Sequence, residues 1–299
     1  MHGHQPTARL ALAALAAGLA LTVTLSGQAL ERVAYVSVFD AKTLAPVTDP
    51  PAASDLIIRE DGVAREVLRV TRATEPMSIA VVVDNSAASA PAIADLRRAL
   101  TAFVEAASPL GPIALISVAD RPTIMADYTP LPATLTAAIN RLFAPQGSGA
   151  TLLDGIIETA RGLGRREGER AAMVLVAAEH VEFSDAHHSQ VLEALADSGA
   201  ALHAVVWTRP GGSFGDERVL NRATVLDRGP RESGGLRIDV LASQAYETRL
   251  REIAAVLTHQ YRVVYARPQT LIPPKRLEVA VRTPGLDARA TPARGQKDR

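Results

Sequence analysis

The run Pro76-Met-Ser-Ile-Ala-Val-Val-Val-Asp-Asn-Ser-Ala-Ala88 decides how the rest of the chain is read. From Ile79 to Val83 it shows no polar alternation, the mark of a strand buried on both faces in a parallel α/β sheet. It ends on an acid and a hydroxyl, Asp84 and Ser86. In open α/β sheets ligands bind beyond the carboxyl ends of the strands, so these two side chains stand where a functional site is expected.

Working outward on the C-terminal side, residues 92–107 place Ile93, Leu96, Leu100, Phe103 and Val104 at the spacing of an amphipathic helix, stopped by Gly111-Pro112. Residues 113–118 read as a second buried strand, and 122–128 as a short strand returning beside it at the sheet edge. A helical pattern over 131–143 is followed by the Gly-rich loop 145–150, which leads into Thr151 and a helix to about residue 163. Apolar strands are expected at 171–178 and 201–208, with a helix at 185–198 closed by Gly199. Residues 209–237 carry repeated Gly, Pro and charge with no sustained period, so a long irregular loop is expected there. A clear helix over 243–258 then precedes a strand at 261–266, read as the last of the alternation. Strands separated by helices of this length imply right-handed crossovers, a mostly parallel sheet and helices on both faces.

On the N-terminal side, residues 34–40 alternate as a strand, and 56–70 read as a hairpin turning at Asp61-Gly62. Beyond Pro268, residues 276–282 alternate as a half-buried strand that cannot stand alone. The unpaired strands at the two ends are therefore expected to meet in one small β unit. The resulting organisation is a β-strand and hairpin region at 30–75, a main domain at 76–266, a C-terminal β segment at 267–290 that packs with 30–75, and a disordered tail at 291–299.

The first residues read as an export signal: Arg9, an apolar run over 10–25, then Gly27-Gln-Ala29 as a small-x-small cleavage site after residue 29. The expected location is secreted or periplasmic, with membrane contact only if that segment stays uncleaved. Composition narrows the partners. Lys plus Arg equals Asp plus Glu at 32 each, so no excess charge favours nucleic acid or an anionic membrane. Aromatics are only 4%, which argues against stacking-based capture of single-stranded nucleic acid. With no cysteine, neither a disulfide nor a lipidated thiol is available.

The residues at the decisive strand end resemble the first motif of the von Willebrand factor type A (vWA) family, Asp-x-Ser-x-Ser, whose oxygens help hold a divalent metal. The stretch Gly149-Ala150-Thr151 resembles that family's threonine loop. The resemblance implies Asp84, Ser86 and Thr151 as ligands of Mg²⁺ or Mn²⁺, in a degenerate form of the family's metal-ion-dependent adhesion site. Ala88 stands where the third oxygen would be. Where relatives read Asp-Gly after a later strand, this chain reads Ala177-Ala178-Glu179-His180. Glu179 falls one position late, and neighbouring side chains on a strand point to opposite faces. Taken in order, Glu60-Asp61-Gly62, Asp84-x-Ser86, Gly149-Ala150-Thr151, Gly234-Gly235 before a long helix and Gln260-Tyr261 resemble exported bacterial VWFA-related proteins of the acidobacterial type, over about 33–290. That likeness implies a non-enzymatic module that binds a protein ligand.

Three other readings compete. His180, His187 and His188 lie near Glu179, Glu182 and Asp185, but their spacing fits no zinc pattern. Gly211-Gly-Ser213-Phe-Gly215 matches the nucleophile elbow by letter, with Asp239 and His259 following in triad order, so a serine hydrolase is the alternative function. A purely structural part of an envelope assembly is the third.

Overall fold

The computed structural model describes residues 29–208, 216–268, 274 and 276–295. Most of the expected export signal and the Ser213 elbow lie outside the described residues. In chain order, β1 (Ala29–Asp40) is followed by β2 (Leu56–Glu60), β3 (Val63–Arg65) and β4 (Val67–Arg72). The strand quoted above is β5 (Met77–Asp84), then come α1 (Ile93–Ala107), β6 (Ile113–Val118), β7 (Pro122–Thr129), α2 (Pro132–Asn140) and α3 (Leu152–Gly164). The second half runs β8 (Arg170–Ala178), α4 (His188–Ser198), β9 (Ala201–Trp207), α5 (Glu217–Ser233), β10 (Arg237–Val240) and α6 (Tyr246–Thr258). The chain closes with β11 (Gln260–Pro268), β12 (Leu277–Val281) and β13 (Leu286–Pro292).

The main sheet has six strands in the order β10-β9-β8-β5-β6-β7, parallel except for the edge strand β7. Every residue of β5, β6 and β8 is buried, as expected of strands covered on both faces. Alternate residues of β5 serve two cores. Ile79, Val81 and Val83 pack with α1, α2 and α6 on one face, while Ala80 and Val82 pack with α3, α4 and α5 on the other. Full burial of one such Val or Ile stabilises by roughly 1.5–3 kcal/mol over exposure, so the two helix layers hold the sheet from both sides.

The flanking strands do form a β unit. β12 pairs with β2 antiparallel, Val279 opposite Ile58, and the β2–β3 turn is made by Asp61 and Gly62, both at positive φ. Three expectations need correction. The strand at 261–266 does not extend the parallel sheet: β11 lies between β1 and β4 in an antiparallel sheet of order β13-β1-β11-β4. Its alternation buries Tyr261, Val263 and Tyr265 in a separate core with Val36 and Ile58, and this face, not the regular helix–strand rhythm before it, sets its sheet.

Residues 291 and 292 are not a disordered tail, because they end β13, which pairs with β1 from Leu286 opposite Asp40 to Pro292 opposite Ala34. The 209–237 stretch is not one irregular loop either. It contains α5, capped by the Asp216 side chain and ended by Gly234 at φ 82°, and then β10. Its buried positions include Asn221 and Arg222 as well as Val225 and Leu226, so polar side chains interrupt the apolar stripe by which a helix is recognised.

His203 in β9 is buried, and neither ring nitrogen has a hydrogen-bond partner among the described residues. Burial pushes its pKa down to about 4, whereas an unfolded histidine titrates near 6.5. The unfolded chain therefore binds this proton first, and stability falls as pH drops from 6.5 to 4, by roughly 3 kcal/mol. His203→Leu should flatten that part of the profile and leave stability at pH 7 unchanged or up to about 2 kcal/mol higher, read from urea unfolding at stepped pH.

Candidate functional site

β5 delivers Asp84 to the carboxyl end of the sheet, where its side chain is fully enclosed. An ionised carboxylate in such a place needs donors aimed at it. The first is local: the Ser86 N–H donates to Asp84 Oδ1 at 3.0 Å, as an Asx-type turn allows. Two further partners come from distant sequence. His180 Nε2 lies 2.6 Å from Asp84 Oδ2 and 3.1 Å from Ser86 Oγ. Arg222, on α5 and only 3% exposed, places Nη2 at 3.4 Å from Asp84 Oδ2.

The second ring nitrogen of His180, Nδ1, lies 2.7 Å from the Val181 carbonyl. A carbonyl oxygen and an ionised carboxylate only accept, so both ring nitrogens of His180 face acceptors. Burial alone would raise the Asp84 pKa, but the hydrogen bond and charge of His180, the charge of Arg222 and the Ser86 bond together hold it down at about 2.

Glu182 is the second buried carboxylate. It accepts from the N–H groups of Leu152 at 2.9 Å and Ser184 at 3.0 Å, and its other oxygen lies 3.4 Å from Arg222 Nη1. Leu152 is the first residue of α3, whose own N-cap, Thr151, makes no side-chain cap bond. Glu182 thus supplies the negative charge that a helix N-terminus favours, and Ser184 Oγ accepts from Asp154 N–H at 3.1 Å beside it. Arg222 bridges the two acids and also donates to the Ala178 carbonyl at the end of β8. Two carboxylates, one guanidinium and one imidazole make up the cluster.

Of the three residues expected to form the site, Asp84 and Ser86 are brought together, through His180. Thr151 turns its hydroxyl to the Ala119 carbonyl at 3.1 Å. Glu179 faces away, with Arg237 as its ion-pair partner at 4.0 Å. His187 caps α4, His188 bonds Asn221, and no group of three or more His, Asp or Glu among the described residues is placed to hold a metal. The proposed triad partners are separated: Asp239 pairs with Arg237 near the carboxyl end of β10, whereas His259 follows the end of α6. That helix end meets the opposite edge of the sheet, since Arg170 at the start of β8 bonds the Leu257 carbonyl.

Sequence reasoning passed over His180, Glu182 and Arg222 as members of one cluster. His180 and Glu182 sat in a His-rich stretch weighed only for zinc, and Arg222 in a stretch with no apolar period. The available signals were the Asp216 cap and Gly234-Gly235, which bracket a helix of the right length.

The loops around the cluster form an apolar rim. Phe143 is 61% exposed, Phe183 52% and Val181 45%. All three are tied to residues in or next to the cluster: Asn85 Nδ2 donates to the Phe143 carbonyl at 2.7 Å, the Val181 carbonyl meets His180 Nδ1, and Phe183 N–H donates to the Ala150 carbonyl at 2.8 Å. Gly149 lies beneath the Phe183 ring, where a Cβ would come within 2.4 Å of Cδ2. Next to Thr151 a cavity of about 500 Å³ is lined by Asp120, Asp154, Glu158, Arg161 and Asp185. Burial, reinforced by the charge of Asp185 and opposed by a hydrogen bond with Ser184, raises the Asp154 pKa.

No protein-family model matches the chain, and no curated protein matches it. Solved structures do. BatB from Bacteroides thetaiotaomicron is 14% identical with TM-score 0.46, covering 60% of this chain and 98% of that one. The vWF domain of the type V pili tip protein Mfa5 from Porphyromonas gingivalis is 12% identical with TM-score 0.44, covering 60% and 96%. A von Willebrand factor type A structure from Catenulispora acidiphila is 10% identical with TM-score 0.47, covering 89% and 72%. The mostly parallel sheet between two helix layers, with a separate antiparallel sheet, is the α/β architecture expected from the sequence.

Removing the Asp84 charge leaves Arg222 buried with one partner fewer. Asp84→Asn should cost about 3–5 kcal/mol at pH 7. Because the folded pKa is depressed, the stability that Asp84 contributes is complete above 3.8 and lost as pH falls through about 2, a change of about 2 kcal/mol. Urea unfolding between pH 4 and 2 should show this slope in the wild type and not in the variant.

Proposed function

We propose that this chain is an exported, non-catalytic vWA-type module that binds another protein through the rim around Asp84, at a degenerate metal site that takes no divalent ion. The observation that carries the reading is the pairing of a buried charged core, Asp84, Glu182 and Arg222, with the exposed apolar side chains of Phe143, Val181 and Phe183.

The donor set supports the metal-free part. Mg²⁺ needs near-octahedral oxygen ligands at about 2.0–2.1 Å. Here the Asp84 oxygens are engaged by His180, Arg222 and the Ser86 N–H, and the Ser86 hydroxyl faces the same imidazole nitrogen. A divalent ion would also have to share Asp84 with the buried Arg222 guanidinium, a like charge in a low-dielectric setting. The residues present do not fit the ion.

The rim supports the binding part. Phe143, Val181 and Phe183 are exposed apolar side chains whose backbones are bonded to Asn85, His180 and Ala150, and grouped apolar exposure marks interaction surfaces. Aromatic anchors set among polar neighbours are the residues that carry most of the energy at protein interfaces. Export is supported by the Arg9, 10–25 and Gly27-Gln-Ala29 pattern. No helix among the described residues is long and apolar enough to cross a membrane.

The test is capture from a native envelope extract with the mature chain as bait, comparing wild type with Phe143→Ser/Phe183→Ser. A specific partner should be recovered at least about tenfold less with the double variant, with unchanged thermal unfolding, since each anchor is worth ~1–2 kcal/mol. Equal recovery with both baits would reject the rim. Labelling of Ser213 by an active-site-directed phosphonate, lost in Ser213→Ala, would reject the non-catalytic reading.

A further inference from the structure

We infer that Arg222 is a built-in cation for this site: its guanidinium, joined to Asp84 and Glu182, carries the positive charge that a bound ion would otherwise supply, and closes the site to metal. The inference rests on the reading of this face as a degenerate vWA-type site and goes beyond it, by naming the residue that does the replacing.

The placement of Arg222 argues for this role. The resemblance to the vWA family implies an acid after β8, where this chain reads Ala177-Ala178 and carries only methyl side chains. Arg222 Nη2 donates to the carbonyl of Ala178 itself, so the guanidinium head sits at that strand end. It bridges Asp84 Oδ2 and Glu182 Oε2 with its two terminal nitrogens, both at 3.4 Å. A planar guanidinium with divergent donors suits this bridging better than a lysine ammonium would.

Arg222 is also held where it is. At 3% exposure it is not a surface arginine waiting for a ligand. Its neighbour Asn221 accepts from the His188 N–H at 3.2 Å and contacts His188 Nδ1 at 2.8 Å, which docks α5 on the start of α4. Arg222 cannot swing out unless that docking opens. His180 completes the closure, because its Nε2 lies between Asp84 Oδ2 and Ser86 Oγ, the two oxygens an ion would have to share. A partner's acid therefore does not reach the Arg222 guanidinium, and contact falls to the rim.

The experiment uses Mn²⁺ alone as probe, with the mature chain and binding read from loss of the free-ion EPR signal. Wild type and Arg222→Lys should leave the signal unchanged. Arg222→Gln/His180→Ala, which removes the guanidinium and the imidazole and keeps Asp84, Ser86 and Glu182, should bind one Mn²⁺ at least about tenfold more tightly than wild type and gain several degrees in Tm with the ion. If the double variant is unfolded alone, recovery of its folded circular-dichroism signal by Mn²⁺ supports the inference, and no recovery rejects it. Binding by the wild type, or a folded double variant that ignores Mn²⁺, overturns it. Those results leave the Phe143→Ser/Phe183→Ser capture untouched, so the built-in cation and the contact rim can fail separately.

Discussion

An ionised carboxylate sealed at the end of a central strand is the constraint on which the upper half of this molecule depends. Asp84 follows an unbroken apolar run and is enclosed by the loops that leave the sheet beside it. Hydration is lost there, and the desolvation cost of an ion is several kcal/mol. The charge persists because His180, Arg222 and the Ser86 N–H are all directed at it. Each of those partners in turn restricts the element that carries it, which is how one side chain organises several loops.

The restriction spreads through Glu182. Its carboxylate caps α3 from outside and meets the same guanidinium that meets Asp84, so the 179–187 loop, α3 and α5 are locked to β5 through charged hydrogen bonds. Buried ion networks of this kind are a poor source of net stability, since desolvation offsets much of the Coulombic gain. What they provide here is geometry. The charged groups are turned toward one another, while Phe143, Val181 and Phe183 stay exposed.

The antiparallel unit serves the opposite end of the main sheet. Arg170 opens β8 and donates to the Gln260 side chain at the start of β11 and to the Leu257 carbonyl, while Gln260 reaches Ser37 of β1. Tyr35 of β1 donates to Glu169, the residue before β8, at 2.6 Å. The flanking strands are therefore fastened near the amino ends of the parallel strands. The carboxyl ends, with Asp84, stay uncovered.

The parallel sheet, the order of its helices, the flanking β unit and the position of Asp84 and Ser86 were all legible from local pattern, because full burial and helical spacing leave period and composition in the residues themselves. The sheet that β11 joins, the strand at 286–292, the helix around Arg222 and the role of His180 were not legible. Each depends on a partner far along the chain: 96 residues separate His180 from Asp84, and 138 separate Arg222 from it. Burial of a guanidinium is tolerated only once its carboxylates have been brought to it, and sequence order carries no record of that approach. Local chemistry set where a site would be, and tertiary packing decided that its counter-charge would be the protein's own.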